Sequence, residues 1–306
     1  MARKKKVIAI DSGKFNLKGR SGKETLSYNT KYSIGHTDEG MLTRSYNITY
    51  KGQELTIGDN GEISDGNVGK DSDVHIWSTL TAIALLKGDA TDIILMYGES
   101  YNEYARPEQK EAIKNRLEGK HKIIVDGIEY EFNITLCHIL PEGLGCVLLN
   151  LLKHMELGVQ YIIDWGGTTV NFLEVVKGKP TENSVSFQLG SHNVTAIVRK
   201  ELQQRGLGKH SKIQVETWVN KGCSTNKEIQ NVIDMVINKQ LNRIDAELSD
   251  FGINIHDCED VDFVGGSSKQ FSNEIKKHYK MATIHNNADT STVDGFYEYG
   301  RLKYGE

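Results

Sequence analysis

Hydrophobic positions along the chain fall into short apolar runs separated by longer segments with helical periodicity. Runs of three to ten residues bounded by turn residues predict strands. These predicted strands cover 5–10, 25–33, 45–50, 54–57, 92–97, 122–125, 130–139, 161–163, 170–176, 185–189 and 261–264. Helical spacing predicts helices at 71–86, 107–117, 141–154, 193–204, 228–248, from 269 onward and at 290–302. A glycine-rich loop is expected at 58–69 and a polar, mixed segment at 205–226.

Alternation of strands and helices predicts an α/β protein. The composition, 38% hydrophobic and 25% charged, is typical of a globular protein. A formal net charge of -4 gives the chain no overall attraction to nucleic acid or anionic membranes. Any contact with DNA is therefore expected to need a local basic patch or an adaptor protein.

Compartment is indicated by three features of the sequence. The basic start, MARKKK, leads directly into a strand without the apolar stretch of a signal peptide. No apolar run reaches the roughly 20 residues needed to span a bilayer. The cysteines are scattered without a Cys-x-x-Cys pair. We expect a cytoplasmic protein that makes no membrane contact.

One sequence unit occurs twice: an apolar strand, an aspartate, any residue, a glycine and then a second strand. Its aspartates are Asp11 and Asp164, which are separated by half the length of the chain. The repetition suggests two related halves, each with a hairpin that ends in an acidic glycine turn.

Such turns suit a magnesium-bound triphosphate. Backbone N–H groups converge at a glycine turn and bind phosphate oxygens, while a carboxylate at the strand end holds Mg²⁺, usually through water. A strand that ends in Gly-Gly before a helix also allows a ligand to approach the backbone closely. Candidate nucleotide-binding residues are Ser12, Gly13, Lys14, Phe15 and Lys18 in the first turn, Gly166, Gly167, Thr168 and Thr169 in the second, and Gly265, Gly266 and Ser267 after a third strand.

Five motifs in order resemble those of the actin, heat-shock chaperone and sugar kinase superfamily. IDSGKFNLKG and IIDWGGTTVNFLEV resemble its two phosphate motifs, VDFVGGSSKQF its adenosine motif, and PEGLG and STVDGFYEYG its two connecting helices. The resemblance implies an actin-like (ribonuclease H-like) two-domain fold with an interdomain nucleotide cleft. Domain I would comprise 1–153 plus 288–306, and domain II 154–287.

Within the superfamily, Pro141-Glu142, the Gly-Gly-Thr-Thr turn and the closing VDGFYEYG resemble bacterial ParM-type plasmid segregation proteins. That resemblance implies a catalytic role for Glu142, which would polarise the attacking water. Asp11 and Asp164 would organise Mg²⁺ and that water, and Lys18 would neutralise phosphate charge. Lys239 and Arg243 share a helix face and are candidates for contact with the nucleoside, or are simply solvated.

Two positions depart from the family pattern. Lys14 stands where many relatives have a small hydroxyl residue, and it either attracts phosphate or points to solvent. Trp165 replaces a smaller residue and is expected to pack in the core rather than stack on a base. The choice between ATP and GTP is open.

The ParM-type resemblance implies an ATPase or GTPase that polymerises with itself. Its filaments would segregate plasmid DNA through a ParR-like centromere-binding adaptor. Two alternatives stay open at this point: a small-molecule kinase for a sugar or acid with the same fold, and a nucleotide-binding scaffold that does not polymerise.

Overall fold

The computed structural model of the chain describes residues 4–37, 44–63, 68–149, 158–221 and 225–305. Two compact units are present, one formed by Met1–Glu156 with Thr290–Glu306 and the other by Leu157–Asp289. Each unit has its own sheet and its own apolar core. The predicted α/β class is therefore confirmed.

The strands in the described residues are numbered in chain order. They are β1 (Lys5–Ser12), β2 (Asn16–Ser21), β3 (Glu24–Asn29), β4 (Tyr32–Ile34), β5 (Ser45–Tyr50), β6 (Gln53–Gly58), β7 (Asp92–Glu99), β8 (Gly119–Val125), β9 (Ile128–Pro141), β10 (Val159–Trp165), β11 (Val170–Val176), β12 (Lys179–Pro180), β13 (Val185–Phe187), β14 (Val261–Val264) and β15 (Ala282–Ile284).

The α-helices are numbered in the same way over the same described residues. They are α1 (Asp73–Leu86), α2 (Tyr101–Tyr104), α3 (Pro107–Leu117), α4 (Gly145–Leu149), α5 (Val194–Gln204), α6 (Lys212–Lys221), α7 (Lys227–Asp250), α8 (Gly266–Gln270), α9 (Ser272–His278) and α10 (Ser291–Tyr304). Short 3₁₀ helices occur at Ser191–Asn193 and Ile255–Asp257. No helix in the described part of the chain is long and apolar enough to cross a membrane.

The sheet of the first unit has the strand order β3-β2-β1-β7-β9-β8-β5-β6-β4. Strands β1, β7 and β9 run parallel at its centre. The interiors of β1 and β7 are almost continuous apolar runs, as expected for parallel strands covered on both faces, whereas β9 alternates in burial before its buried carboxyl end. Because parallel strands end at the same edge, the residues at and just after their carboxyl ends lie close together. These include Asp11, Glu99 and Glu142.

Helix α1 lies in the core of this unit. Val74, Trp77, Leu80 and Ala84 are buried as predicted, but the polar residues between them are buried as well. The helix is therefore covered on nearly all sides rather than amphipathic. Ser72 occupies the N-cap position, one residue after the predicted start of the helix at Asp71.

Helix α10 belongs to the first unit although it follows the second unit in the sequence. It packs against α4 through a close contact of two glycines, since a Cβ at Gly295 would overlap the carbonyl oxygen of Gly145. Only glycine at this position allows the two backbones to approach so closely. Arg20 pairs with Asp294 at 2.7 Å and ties α10 to β2.

The second unit is built on the strand order β12-β11-β10-β14-β15, with β13 paired to the free part of β11. Strands β10 and β11 form an antiparallel hairpin, and β10, β14 and β15 are parallel. Helix α7 begins at Asn226, whose side chain accepts hydrogen bonds from the backbone N–H of Glu228 and Ile229. Its apolar face packs in the core as the spacing predicts.

Several predicted elements differ from the structure. The predicted helix at 141–154 is wrong at its start, because β9 pairs with β7 as far as Pro141 and α4 begins only at Gly145; its predicted end lies outside the described residues. Helix α6 lies in the segment interpreted as polar and mixed, where Val215 and Val219 are the buried residues. The predicted strand at 25–33 is two strands, β3 and β4.

Candidate functional site

The first predicted turn follows β1 at the parallel edge of the sheet. Asp11 faces Lys18 across the β1–β2 hairpin. A Cβ at Gly13 would lie 2.6 Å from the carbonyl oxygen of Asn16, so a side chain does not fit there. Thr30 donates its hydroxyl to the Gly13 carbonyl at 3.1 Å. The turn is therefore tight, and the hydrogen bond from Thr30 holds it in place.

A buried lysine that the sequence did not single out lies beside this turn. Lys70 is 5% exposed. Its ammonium group donates to the Glu142 carboxylate and to the Gly98 carbonyl oxygen, the latter at 2.8 Å, and lies 3.4 Å from Oδ1 of Asp11. The backbone N–H of Glu142 also donates to the carbonyl of Glu99 at 2.7 Å. Lys70 thus brings two of the predicted catalytic carboxylates together.

The positive charge of Lys70 and the negative charges of its carboxylate neighbours stabilise one another in this cluster. Burial alone would lower the pKa of Lys70, but the neighbouring carboxylates, Glu142 foremost, outweigh it and raise that pKa well above its ordinary value. Burial raises the pKa of Glu99 to about 7, against the opposing effect of Lys70. Lys70 is therefore charged, and Glu99 changes its charge near neutral pH.

Ser12 and His75 form a second buried contact at the same turn. The Oγ of Ser12 lies 2.8 Å from Nδ1 of His75. Burial, reinforced by the charges of Lys70 and Lys14, lowers the pKa of His75 to about 3. The imidazole is neutral at physiological pH, and its contact with Ser12 holds the start of the turn against α1.

The second predicted turn joins β10 to β11 in the second unit. The N–H of Gly166 donates to the carbonyl of Thr169 at 2.9 Å and closes it. The N–H groups of Gly190, Ser191 and His192 then donate to the carbonyls of Thr168, Gly166 and Gly167 at 2.8, 3.1 and 2.8 Å. The segment that precedes α5 therefore supports the whole turn.

The Gly265–Ser267 segment reaches the same turn. Ser267 donates to the carbonyl of Gly166 at 2.9 Å. Gly265 has φ 90°, and a Cβ there would overlap Oδ1 of Asp164. Two of the predicted groups of site residues in this unit, the turn at Asp164–Thr169 and the segment Gly265–Ser267, are thus brought together.

These residues fit a magnesium-bound nucleotide by their chemistry. Asp11 and Glu142 in the first unit, and Asp164 in the second, each offer the hard carboxylate oxygens that Mg²⁺ prefers. In the second unit a Cβ at Gly266 would meet nothing within 4 Å, so a ligand can approach the backbone closely there. Thr168 Oγ1 is buried and lacks a hydrogen-bond partner within the described residues, so it is available to a phosphate oxygen.

The predicted base-binding residues are exposed, unlike the residues of the two turns. Lys239 and Arg243 lie on the exposed side of α7, where Lys239 pairs with Glu201 at 3.5 Å. Between them on the same helix, buried Gln240 donates to the carbonyl of Leu189, next to Gly190. Trp165 is fully buried and packs against Phe271 with ring centroids 5.3 Å apart, which confirms its packing role.

Sequence reasoning missed Lys70, His75 and Glu99. The available signal was the position of Glu99 at the end of a parallel strand next to the predicted site, because such strand ends meet at one edge. A lysine in a polar segment ahead of a helix carries no comparable signal. A histidine inside an apolar helix is more often a core residue than part of a site.

Comparisons with known proteins place this fold among known ones. Residues 9–145 match the family of actin-like proteins, N-terminal domain. No curated protein matches the sequence. Ta0583, an archaeal actin homolog, has a solved structure with TM-score 0.80, 15% identity, and coverage of 97% of this chain and 99% of that chain.

Two further solved structures are similar. The apo psk41 ParM protein has TM-score 0.73 and 15% identity, with 97% of each chain covered. The Alp12 filament structure has TM-score 0.72 and 21% identity, with 98% of this chain and 99% of that chain covered. The fold is therefore actin-like. More particularly, residues 9–145 of the first unit match the N-terminal domain of the actin-like proteins, and the predicted resemblance is confirmed.

Proposed function

We propose that this chain is an actin-like nucleoside triphosphatase whose filaments segregate plasmid DNA. The observation that carries the proposal is the cluster of Asp11, Lys70 and Glu142 at the turn after β1. Carboxylates held beside a phosphate-binding turn suit phosphoryl transfer to water, a reaction that depends mainly on positioning and charge stabilisation.

The residues have separate roles in this proposal. The turns at Asp11–Phe15 and Asp164–Thr169 bind the phosphates, Lys18 supplies positive charge, and Gly265, Gly266 and Ser267 contact the nucleoside. Lys239 and Arg243, on the exposed side of α7, are the candidates for further contact with the nucleoside. Asp11 and Asp164 hold Mg²⁺, which neutralises phosphate charge when bound. Glu142 orients and polarises the attacking water.

Support for a nucleotide and for polymerisation comes from similar folds. Ta0583 has been solved in complex with ADP, with TM-score 0.78 to this chain. Alp12 and AlfA, the latter from a B. subtilis plasmid, have been solved as filaments. We therefore propose self-association into a filament whose lifetime depends on the bound nucleotide, ATP or GTP.

Attachment to DNA is proposed to be indirect. The chain has a net charge of -4, which disfavours direct binding to a polyanion. A ParR-like centromere-binding adaptor in the cytoplasm would join the filament to the plasmid. The two compact units would be domains I and II of this polymerising nucleoside triphosphatase.

Light scattering combined with phosphate release tests the proposal. Purified protein is mixed with Mg²⁺ and ATP or GTP over a range of protein concentrations. We expect scattering to rise above a threshold concentration and phosphate to appear in the same samples. EDTA should abolish both signals.

Other outcomes separate the alternatives. Phosphorylation of a sugar or acid panel without scattering would identify a small-molecule kinase instead. Nucleotide binding with neither scattering nor phosphate release would identify a scaffold. Glu111→Gln on the exposed surface of α3 should leave both signals of the parent protein unchanged.

A further inference from the structure

Three metal-ligating side chains of the second unit converge on one point. Nε2 of His278 lies 2.7 Å from Oδ2 of Asp245, and Nε2 of His256 lies 3.4 Å from the same oxygen. All three donor atoms lie within 4.8 Å of one another. Nothing in the proposed nucleotide chemistry uses them.

The three residues come from separate segments of the unit. Asp245 is on α7, His256 is in the 3₁₀ helix Ile255–Asp257, and His278 is the last residue of α9. Their convergence therefore depends on the tertiary fold and is not a local feature of one helix. A ligand held here would tie together three segments that are otherwise joined by packing.

A neighbouring tyrosine orients the carboxylate. Tyr279 is buried and donates its hydroxyl to Oδ1 of Asp245 at 2.6 Å. This bond occupies one oxygen of Asp245 and turns the other toward the two histidines. Outer hydrogen bonds of this type fix the orientation of ligating side chains in metal sites.

Donor spacing is close to that of a tetrahedral site. Bonds of about 2.0–2.2 Å place neighbouring ligand atoms about 3.4 Å apart in tetrahedral geometry. The separation of Asp245 and His256 has that value, and the pair with His278 needs a modest widening. The His256 side chain is 48% exposed and can adjust.

We propose that Asp245, His256 and His278 form a binding site for a divalent transition-metal ion of the Zn²⁺ class. Two imidazoles and one carboxylate favour such an ion over Mg²⁺, which prefers oxygen ligands. A water molecule completes the coordination. The bound ion braces α7, the segment that follows it and α9, and this goes beyond the nucleotide chemistry proposed above.

Metal titration of the full chain tests the site without nucleotide. Zn²⁺ is added in excess Mg²⁺, which saturates sites made only of carboxylates, and binding is followed by calorimetry and by thermal unfolding. We expect one Zn²⁺ per chain and a higher melting temperature. Co²⁺ in place of Zn²⁺ should give the visible absorption of a low-coordinate site with nitrogen ligands.

Variants identify the ligands. His256→Gln changes a largely exposed side chain, so the fold is expected to persist while affinity falls by more than about 100-fold; Tyr279→Phe should weaken binding about tenfold through loss of orientation. His285→Gln is the matched control, since His285 pairs with Asp262 at 2.7 Å outside the cluster. The Zn²⁺ affinity of this control variant should equal that of the parent protein.

Any one of three results would overturn the site. One is stoichiometric Zn²⁺ binding that His256→Gln and His278→Gln leave unchanged. Another is loss of binding in Cys258→Ser with retention in His256→Gln, which would assign the metal to the thiol two residues away. Absence of any saturable Zn²⁺ binding would equally contradict the proposal, whatever the outcome of the scattering test.

Discussion

The ammonium group of Lys70 donates a hydrogen bond to the carboxylate of Glu142 from a buried position. Asp11 and the Gly98 carbonyl complete its surroundings. The Lys70 ammonium group therefore compensates three carboxylates. Asp11 and Glu99 lie at the ends of β1 and β7, and Glu142 directly follows β9. Removal of the Lys70 charge should therefore lower stability, whereas removal of the Glu142 charge should lower the rate of hydrolysis.

Lys70→Met should destabilise the protein by about 3–5 kcal/mol, because it leaves buried carboxylates without a compensating charge. Urea unfolding measures this loss. The double variant Lys70→Met/Glu142→Gln should recover part of it. Lys122→Met, which breaks a fully exposed pair with Glu129, is the control and should leave stability unchanged. Equal effects of the two lysine changes would contradict the compensating role of Lys70.

Glu142→Gln should slow nucleotide hydrolysis by about 100-fold or more, because an amide does not polarise water as a carboxylate does. Assembly should persist, since binding of the triphosphate does not require this group. Phosphate release and light scattering in the same sample measure the two properties. Hydrolysis at the parental rate would remove Glu142 from its proposed role.

Stability should fall as the pH decreases from about 6.5 toward 3, in part because of His75. Its pKa is about 3 in the folded protein and ordinary, about 6.5, in the unfolded chain. The unfolded state therefore binds more protons in this interval, and acid favours unfolding. His75→Gln should reduce the slope of unfolding free energy against pH by up to about 1.4 kcal/mol per unit. Identical slopes for parent and variant would show that His75 takes up its proton equally in both states.

Gly265→Ala should cost about 1–3 kcal/mol, since φ 90° is unfavourable for alanine and its Cβ would overlap Oδ1 of Asp164. Nucleotide affinity should fall as well, because Asp164 is displaced. Gly266→Ala is the matched control for stability: a Cβ there meets nothing within 4 Å, and a change within about 0.5 kcal/mol is expected. Chemical unfolding compares the two variants, and titration with a fluorescent nucleotide analogue compares Gly265→Ala with the parent protein. A similar loss in both variants would argue against the close approach at Gly265.

The hairpins could be predicted from the sequence because their signals are local. An apolar strand, an aspartate and a glycine turn lie within a few residues of one another, and both hairpins occur where expected. Parallel pairing of β10 with β14 then brings Asp164 opposite Val264, at the start of the Gly265–Ser267 segment. The convergence of these motifs follows from strand order, which the family resemblance implied.

Elements that depend on distant pairing were predicted less well. Pro141 has the sequence signal of a helix start, but its position is set by β7, with which β9 pairs up to Glu99 and Pro141. Lys70 is buried because three strand ends supply partners from positions far away in the sequence. The convergence of Asp245, His256 and His278 likewise exists only in the folded unit.

Helix α10 has a consequence for synthesis on the ribosome. Phe296 is fully buried, and a Cβ at Gly300 would lie 2.7 Å from Val7 and 2.8 Å from Met96, so the helix fits closely against β1 and β7. Translation delivers it only after the entire second unit has emerged. The nascent first unit therefore exposes an apolar face of its sheet until α10 has been synthesised. During co-translational folding this face has to stay uncovered so that α10 can pack on it.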